Sequence, residues 1–145
     1  MKIYILGSTK FVKNMVETTD LLIGMGLDAW IHPDYRDYVN TKDHPDMKKM
    51  MDGEQASVKI QNDYIRQHYD GILASDAILF VNNDKADFKN YIGGNALMEM
   101  GFAYVNDKKI YLKHGMPEGV SYMDEIRAME PVCLYGDFSK LLRIE

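Results

Sequence analysis

A chain of 145 residues is one domain long, and at that size about two-thirds of the unfolded surface can be buried. Hydrophobic residues make up 46% and charged residues 27%, a balance that argues against disorder. The 17 Lys and Arg against 22 Asp and Glu leave a net charge of −5, which disfavours a protein that must displace counterions from a nucleic-acid polymer.

Lys2 to Leu6 is a short β-rich run that stops at Gly7-Ser8, a strand ending in a turn. From Phe11 to Met25 the apolar residues recur at helical spacing, and Gly24 and Gly26 close that helix. Leu27 to Ile31 is a second strand, ended by His32-Pro33, so the chain opens with a unit of βαβ size. Pro33 to Gly53 is the least globular part. There Met47, Met50 and Met51 line one face of a short helix, either a local packing patch or an adaptable cover over a ligand. Glu54 to Leu73 reads as one long helix with Val58, Ile60, Ile65, Tyr69 and Ile72 as its apolar positions.

Ala77 to Val81 is continuously apolar, as in a strand covered on both faces, and it ends abruptly in Asn82-Asn83-Asp84. Gly93-Gly94 opens a helix from Asn95 to about Val105. Lys109 to Leu112 is the next strand, Ser121 to Met129 a helix, Val132 to Tyr135 a last strand and Phe138 to Leu142 a short closing helix. The alternation predicts an α/β fold: a single flavodoxin-like or Rossmann-like domain over 1–145, a three-layer sandwich around a five-stranded parallel sheet of order 2-1-3-4-5. Ligands of such sheets sit beyond the carboxyl ends of the strands, where the strand order reverses. Gly7-Ser8 and Asn82-Asn83-Asp84 are expected to meet there.

Cys133 is the only cysteine, which excludes an intrachain disulfide and a thiolate metal cluster. His32, His44, His68 and His114 never recur at the spacing of a metal-binding helix. Neither a metal nor a cofactor is expected. The opening apolar run is too short for a signal peptide, and no apolar stretch approaches the ~20 residues that span a bilayer. A soluble, cytoplasmic protein without membrane partners is the expectation.

One residue stands out. The helix after Gly93-Gly94 is apolar nearly all round, as in a buried helix, yet it carries Glu99. A carboxylate buried without partners costs several kcal/mol or shifts its pKa upward, so Glu99 is expected either to be paired or to open into a cleft. Asn95, Ala96, Phe102 and Ala103 share its face, the alanines leaving space and Phe102 offering an apolar wall.

Three pieces of the chain, taken in order, resemble the nucleoside 2-deoxyribosyltransferase family and its nucleotide N-glycosidase relatives. They are the first strand ending in Gly7-Ser8, Gly71-Ile72-Leu73-Ala74-Ser75-Asp76-Ala77 before the apolar strand, and Ala96-Leu97-Met98-Glu99-Met100-Gly101-Phe102-Ala103 followed by Lys108-Lys109-Ile110-Tyr111. The third is the most specific. The resemblance implies an enzyme that cleaves or transfers the N-glycosidic bond of a nucleoside or nucleotide, with Glu99 as the nucleophile at the anomeric carbon. Such cleavage passes through an oxocarbenium-like state that a nearby carboxylate stabilises or captures. Hydrolysis and transfer differ only in whether water or a second base resolves the intermediate. The resemblance also implies a homodimer or higher assembly, in which Ser121 or Tyr122 of a neighbour can contribute.

The chain departs from the family at two acidic positions. Three residues before the Gly-Ile pair it has His68, and six before the glutamate it has Gly93; Asp70 and Asp84 lie near those places but not at them. His68 is either an exposed helix residue or the proton donor to the departing base, since an imidazole of pKa about 6.5 suits that task. Ser8, Thr9 and Lys10 either cap the first helix or hold a 5′-phosphate. Gly93, Gly94 and Asn95 would let a sugar approach the backbone. Asn82, Asn83 and Asp84 either bind ribose or base, or form a turn. Tyr4, Tyr35 and Tyr38 are candidates to stack on a base. Asp124, Glu125 and Arg127 read as a solvated face. The rival to the enzyme is a non-catalytic nucleotide-binding or sensor domain of the same fold. A third reading is cleavage of a dinucleotide such as NAD.

Overall fold

The computed structural model describes residues 1–53 and 55–143. Its elements are β1 (Lys2–Gly7), a 3-10 turn (Thr9–Phe11), α1 (Val12–Gly24), β2 (Asp28–Trp30), α2 (Pro33–Asn40), α3 (Pro45–Met51), α4 (Gln55–Asn62) and α5 (Tyr64–Leu73). They continue with β3 (Ala77–Val81), α6 (Gly94–Val105), β4 (Lys109–Leu112), α7 (Met123–Ala128), β5 (Val132–Cys133) and a closing 3-10 helix (Phe138–Arg143). The five strands form one parallel sheet in the order β2-β1-β3-β4-β5.

Helices cover both faces of this sheet, which is why its central strands are apolar throughout. Ile3 and Ile5 of β1, with Ala77, Leu79 and Val81 of β3, face Met15, Val16 and Leu22 of α1. Tyr4, Leu6, Ile78 and Phe80 point the other way, towards Ile72 of α5, Ala96, Met100 and Ala103 of α6, and Ile126 of α7. Each fully buried aliphatic side chain contributes about 1.5–3 kcal/mol relative to exposure. Among the described residues, no helix is long and apolar enough to cross a membrane.

Two segments depart from expectation. The stretch that opens at Pro33 holds two helices, each started by the same His-Pro-Asp triplet. His32 and His44 act as N-caps: their Nδ1 atoms accept from the backbone N–H of Asp34 (3.1 Å) and Asp46 (3.2 Å). Pro33 and Pro45 occupy the first helical turn, where a missing N–H costs nothing, and the aspartates complement the helix dipole. Met50 is buried in the core and Met47 packs against it, while Met51 is exposed, so the methionines form a packing patch.

The expected long helix is also two helices. Glu54, its expected start, lies outside the described residues. Asp63 adopts a left-handed conformation (φ +53°) and turns the chain between α4 and α5. Asp tolerates that region better than most residues. Within α4, Val58 is buried while Ile60, two residues on and so on the opposite face, is 81% exposed. At the ends of elements the differences are small: β5 stops at Cys133 rather than Tyr135, and α7 spans Met123–Ala128.

Candidate functional site

The carboxyl ends of β1 and β3 lie side by side, Gly7 in register with Val81. A Cβ on Gly7 would lie 2.8 Å from the Val81 carbonyl oxygen, so only glycine permits this approach. Just beyond it Ser8 and Thr9 meet Gly93, Gly94 and Asn95 of α6 around a cavity of about 100 Å³. Gln55 of α4 and Lys85 and Tyr91 from the loop after β3 complete the wall. Among the described residues no side chain caps the first turn of α6, whose residues line the cavity, so its amides favour an anionic or carbonyl group there. Ser8 does cap: its Oγ accepts from the Lys10 N–H at 3.3 Å. Lys10 itself is exposed and does not line the cavity. The cation found there is Lys85, whose ammonium lies 4.4 Å from the centre of the Tyr91 ring.

Glu99 lies one turn into α6 and is 2% exposed. Its Oε1 accepts from the Asn95 amide at 2.8 Å, and its Oε2 has no hydrogen-bond partner among the described residues. Burial pushes the carboxyl up from 4.5 to about 8, against the pull of the Lys59 ammonium. Of the expected alternatives, a paired carboxyl or one open to a cleft, the structure shows a pairing through one oxygen only, and to a residue of the same helix. The carboxyl is covered, its hydrogen-bond partner is an amide, and the cation is one residue removed. Lys59 of α4 donates to the Asn95 Oδ1 at 3.1 Å, so Asn95 joins the cation, the carboxyl and the cavity it lines.

His68 is 4% exposed, which removes the exposed-helix reading. Its Nδ1 shares a hydrogen bond with the Tyr4 hydroxyl (2.8 Å) and its Nε2 with the Tyr35 hydroxyl (3.0 Å). Burial above all, then the positive charges of His32 and Lys59, lower its pKa to about 3. The imidazole is thus neutral, with one nitrogen donating and the other accepting. It has no proton to give as an imidazolium near neutral pH, contrary to the sequence rationale, and it holds two tyrosines instead. Burial and the Glu99 charge raise the pKa of both tyrosines. Tyr38 and Tyr64 share a further hydrogen bond, and Tyr64 donates to Asp34 at 2.7 Å. The tyrosines expected to stack on a base are thereby tied up with neighbours, Tyr4 also stacking on Trp30 at 4.2 Å.

Asn82, Asn83 and Asp84 do not line the cavity beside Glu99. Asn82 is fully buried, donates to the Gly115 carbonyl at 2.8 Å and accepts from the His114 N–H at 3.0 Å. Asp84 accepts from the Asn90 N–H at 2.9 Å, closing the loop, and Asn83 bonds the His114 ring at 3.1 Å. Asn83 and Asp84 line a separate hollow of about 330 Å³ with Lys113 and His114. Asn82 thus ties the end of β3 to the loop after β4, and Asp84 braces its own loop. Asp70 is exposed on α5, and the Tyr122 hydroxyl donates within the chain to the Ile92 carbonyl. Asp124 and Arg127 form a solvated pair at 3.5 Å, as expected for that face.

Sequence reasoning missed Gln55, Lys59, Lys85 and Tyr91. Gln55 and Lys59 are four apart, one turn of α4, but on a chain this charged such a pair looks like ordinary solvated surface. Comparison of the chain with protein-family models, with curated proteins and with solved structures finds no significant match.

Proposed function

We propose that this protein cleaves or transfers the N-glycosidic bond of a nucleoside or nucleotide, with Glu99 as nucleophile, as its resemblance to the nucleoside 2-deoxyribosyltransferase family implies. The observation that carries this reading is the unpartnered Oε2 of a 98% hidden carboxyl, one helical turn from a cavity at the sheet's switch point. Buried polar atoms are almost always hydrogen-bonded, and an orphan needs a reason. An oxocarbenium-like centre supplies the missing positive partner, and the low dielectric strengthens that attraction. In this reaction the C1′–N bond breaks with its electron pair leaving on the base. The Glu99 Oε2 forms an ester to C1′, and water or an acceptor base then takes the sugar. Gly94 and Asn95, with Ser8 and Thr9, hold the sugar or its 5′-phosphate.

A cavity of about 100 Å³ is small beside the ~300–1,000 Å³ of ordinary ligand pockets. In this reading α4, which supplies Gln55 to the cavity wall, shifts to admit substrate. The proposal includes a cytoplasmic homodimer. Supporting the homodimer, Ile65, Tyr69 and Leu73 lie along one face of α5, with Tyr69 against Phe102 of α6, an apolar surface suited to a second copy.

Incubation with a panel of nucleosides and 5′-nucleotides, followed by chromatography for free base, tests the reaction. Glu99→Gln and Glu99→Ala should abolish base release with the fold intact. Unchanged turnover in either removes the mechanism. The second reading, a non-catalytic nucleotide sensor, is favoured by one observation: a carboxyl of pKa about 8 is mostly protonated at neutral pH, when a nucleophile must be ionised. Thermal stabilisation by nucleotides without base release would select it.

A further inference from the structure

Four elements besides α6 bring titratable groups towards Glu99. β1 supplies Tyr4 and α2 supplies Tyr35, both of which feel its charge, and α5 supplies neutral His68 between them. Among the described residues, the cation that acts on Glu99 is Lys59 of α4. That ammonium does not touch the carboxyl; it donates to the Asn95 carbonyl oxygen at 3.1 Å, and the same amide donates to Glu99 at 2.8 Å. An ammonium on the oxygen of an amide polarises its N–H bonds and makes them stronger donors. The amide is therefore a relay, and its orientation is fixed because its two ends face a donor and an acceptor.

We propose that Lys59 is a positioning residue that acts through Asn95 to orient Glu99 and hold its negative charge, so that the helix covering the site brings the charge that compensates for the covering. Burial of Glu99 opposes its ionisation, and Lys59 on α4 favours it. Gln55, one turn earlier on α4, lies in the cavity wall. The kinetic consequence rests on the proposed N-glycosidic reaction; the titration of Glu99 does not.

Carbon-13 NMR of the glutamate carboxyls across pH gives the Glu99 midpoint, its signal identified by loss in Glu99→Gln. In Lys59→Met the midpoint should rise by about one pH unit, and Lys59→Arg should stay near the parent value. In an Asn95→Ala background the same Lys59→Met change should have much less effect. An unmoved midpoint in folded Lys59→Met overturns the proposal, as does an equal shift with and without Asn95, which would mean direct attraction. On substrate, Lys59→Met should lower kcat at pH 7 and recover it as the pH rises. A raised KM at unchanged kcat and pH profile would make Lys59 a substrate-holding group and overturn its positioning role. Absence of base release from the parent protein would count against the proposed function alone, since the titration decides the relay by itself.

Discussion

Asn95 and Glu99 stand one turn apart on α6, and the amide of the first reaches only one of the two carboxyl oxygens of the second, at 2.8 Å. A protonated carboxyl suits that environment better than a charged one, which ties stability to pH. The folded-state pKa is about 8 against 4.5 for the free group, so the folded state holds the proton more tightly. The resulting stabilisation is full below pH 4.5 and is lost as the pH rises through about 8. Glu99→Gln keeps the amide partner without the titration. Urea unfolding at pH 5 and pH 8.5 should show the parent protein losing stability relative to Glu99→Gln, by on the order of 4 kcal/mol at most. Parallel curves at the two pH values would mean that Glu99 is not protonated in the fold.

His68 carries the opposite sign. Its folded-state pKa of about 3 lies below the free value of 6.5, so its stabilisation is present above pH 6.5 and is lost as the pH falls through about 3. Between pH 4.5 and 6.5 the two residues oppose one another, and the parent protein should show a plateau there. His68→Gln retains a donor and an acceptor for Tyr4 and Tyr35 but cannot titrate. The expected result is a shallower acid limb in guanidinium unfolding, with the alkaline limb unchanged. An acid limb as steep as the parent's would assign that loss of stability to other groups.

What could be read from the sequence follows from how locally each feature is encoded. Ala77 to Val81 announces a doubly covered strand within five residues, because both of its faces must be apolar. The turn at Asp63 is not announced, since Asp in a left-handed conformation looks like any Asp on a helix, and α4 and α5 merge into one pattern. The methionine spacing marks α3 in the sequence, whereas α2 rests on a His-Pro-Asp start that is a weak signal because His is not a common N-cap. Glu99 was conspicuous as the lone charge on an apolar helix. Lys59 was not, because its importance is a matter of which residue α4 lays against Asn95, and that is settled by tertiary packing. The burial of His68 was hidden for the same reason: its partners come from β1 and α2, 64 and 33 residues away.

Gly71 shows a packing constraint that helix propensity would misjudge. Replacing a mid-helix glycine by alanine ordinarily gains up to ~1 kcal/mol. Here the new Cβ would lie 2.5 Å from the Tyr4 ring. That ring has no room to retreat, being fully buried, bonded to His68 and stacked on Trp30. Gly71→Ala should therefore destabilise, by about 1–3 kcal/mol as for other overpacked cores. Denaturant unfolding measures it, and Tyr4→Phe should not rescue it, because the clash is with ring carbons as well as with the hydroxyl. A stabilised Gly71→Ala would show that the contact between α5 and β1 yields easily.

Met50 tests whether the cover over Glu99 is a moving part. It is 1% exposed and, with Val58, it ties α3 and α4 to the core, while Asp52 and Gly53 after α3 are exposed. Met50→Ala removes about 2–5 kcal/mol of packing from a buried site. If α3 and α4 open as a unit to admit ligand, that loss falls mainly on the closed cover. Amide exchange should then quicken across α3 and α4 before it does in β1 or β3. Deoxyadenosine monophosphate, followed by the fluorescence of Trp30, should bind the parent protein at a rate that levels off with concentration, the ceiling being the opening step. The ceiling should rise in Met50→Ala. A parent rate that climbs linearly towards the diffusion limit would mean that ligand reaches the cavity without displacing α4, and the cover would then be a fixed wall of the site.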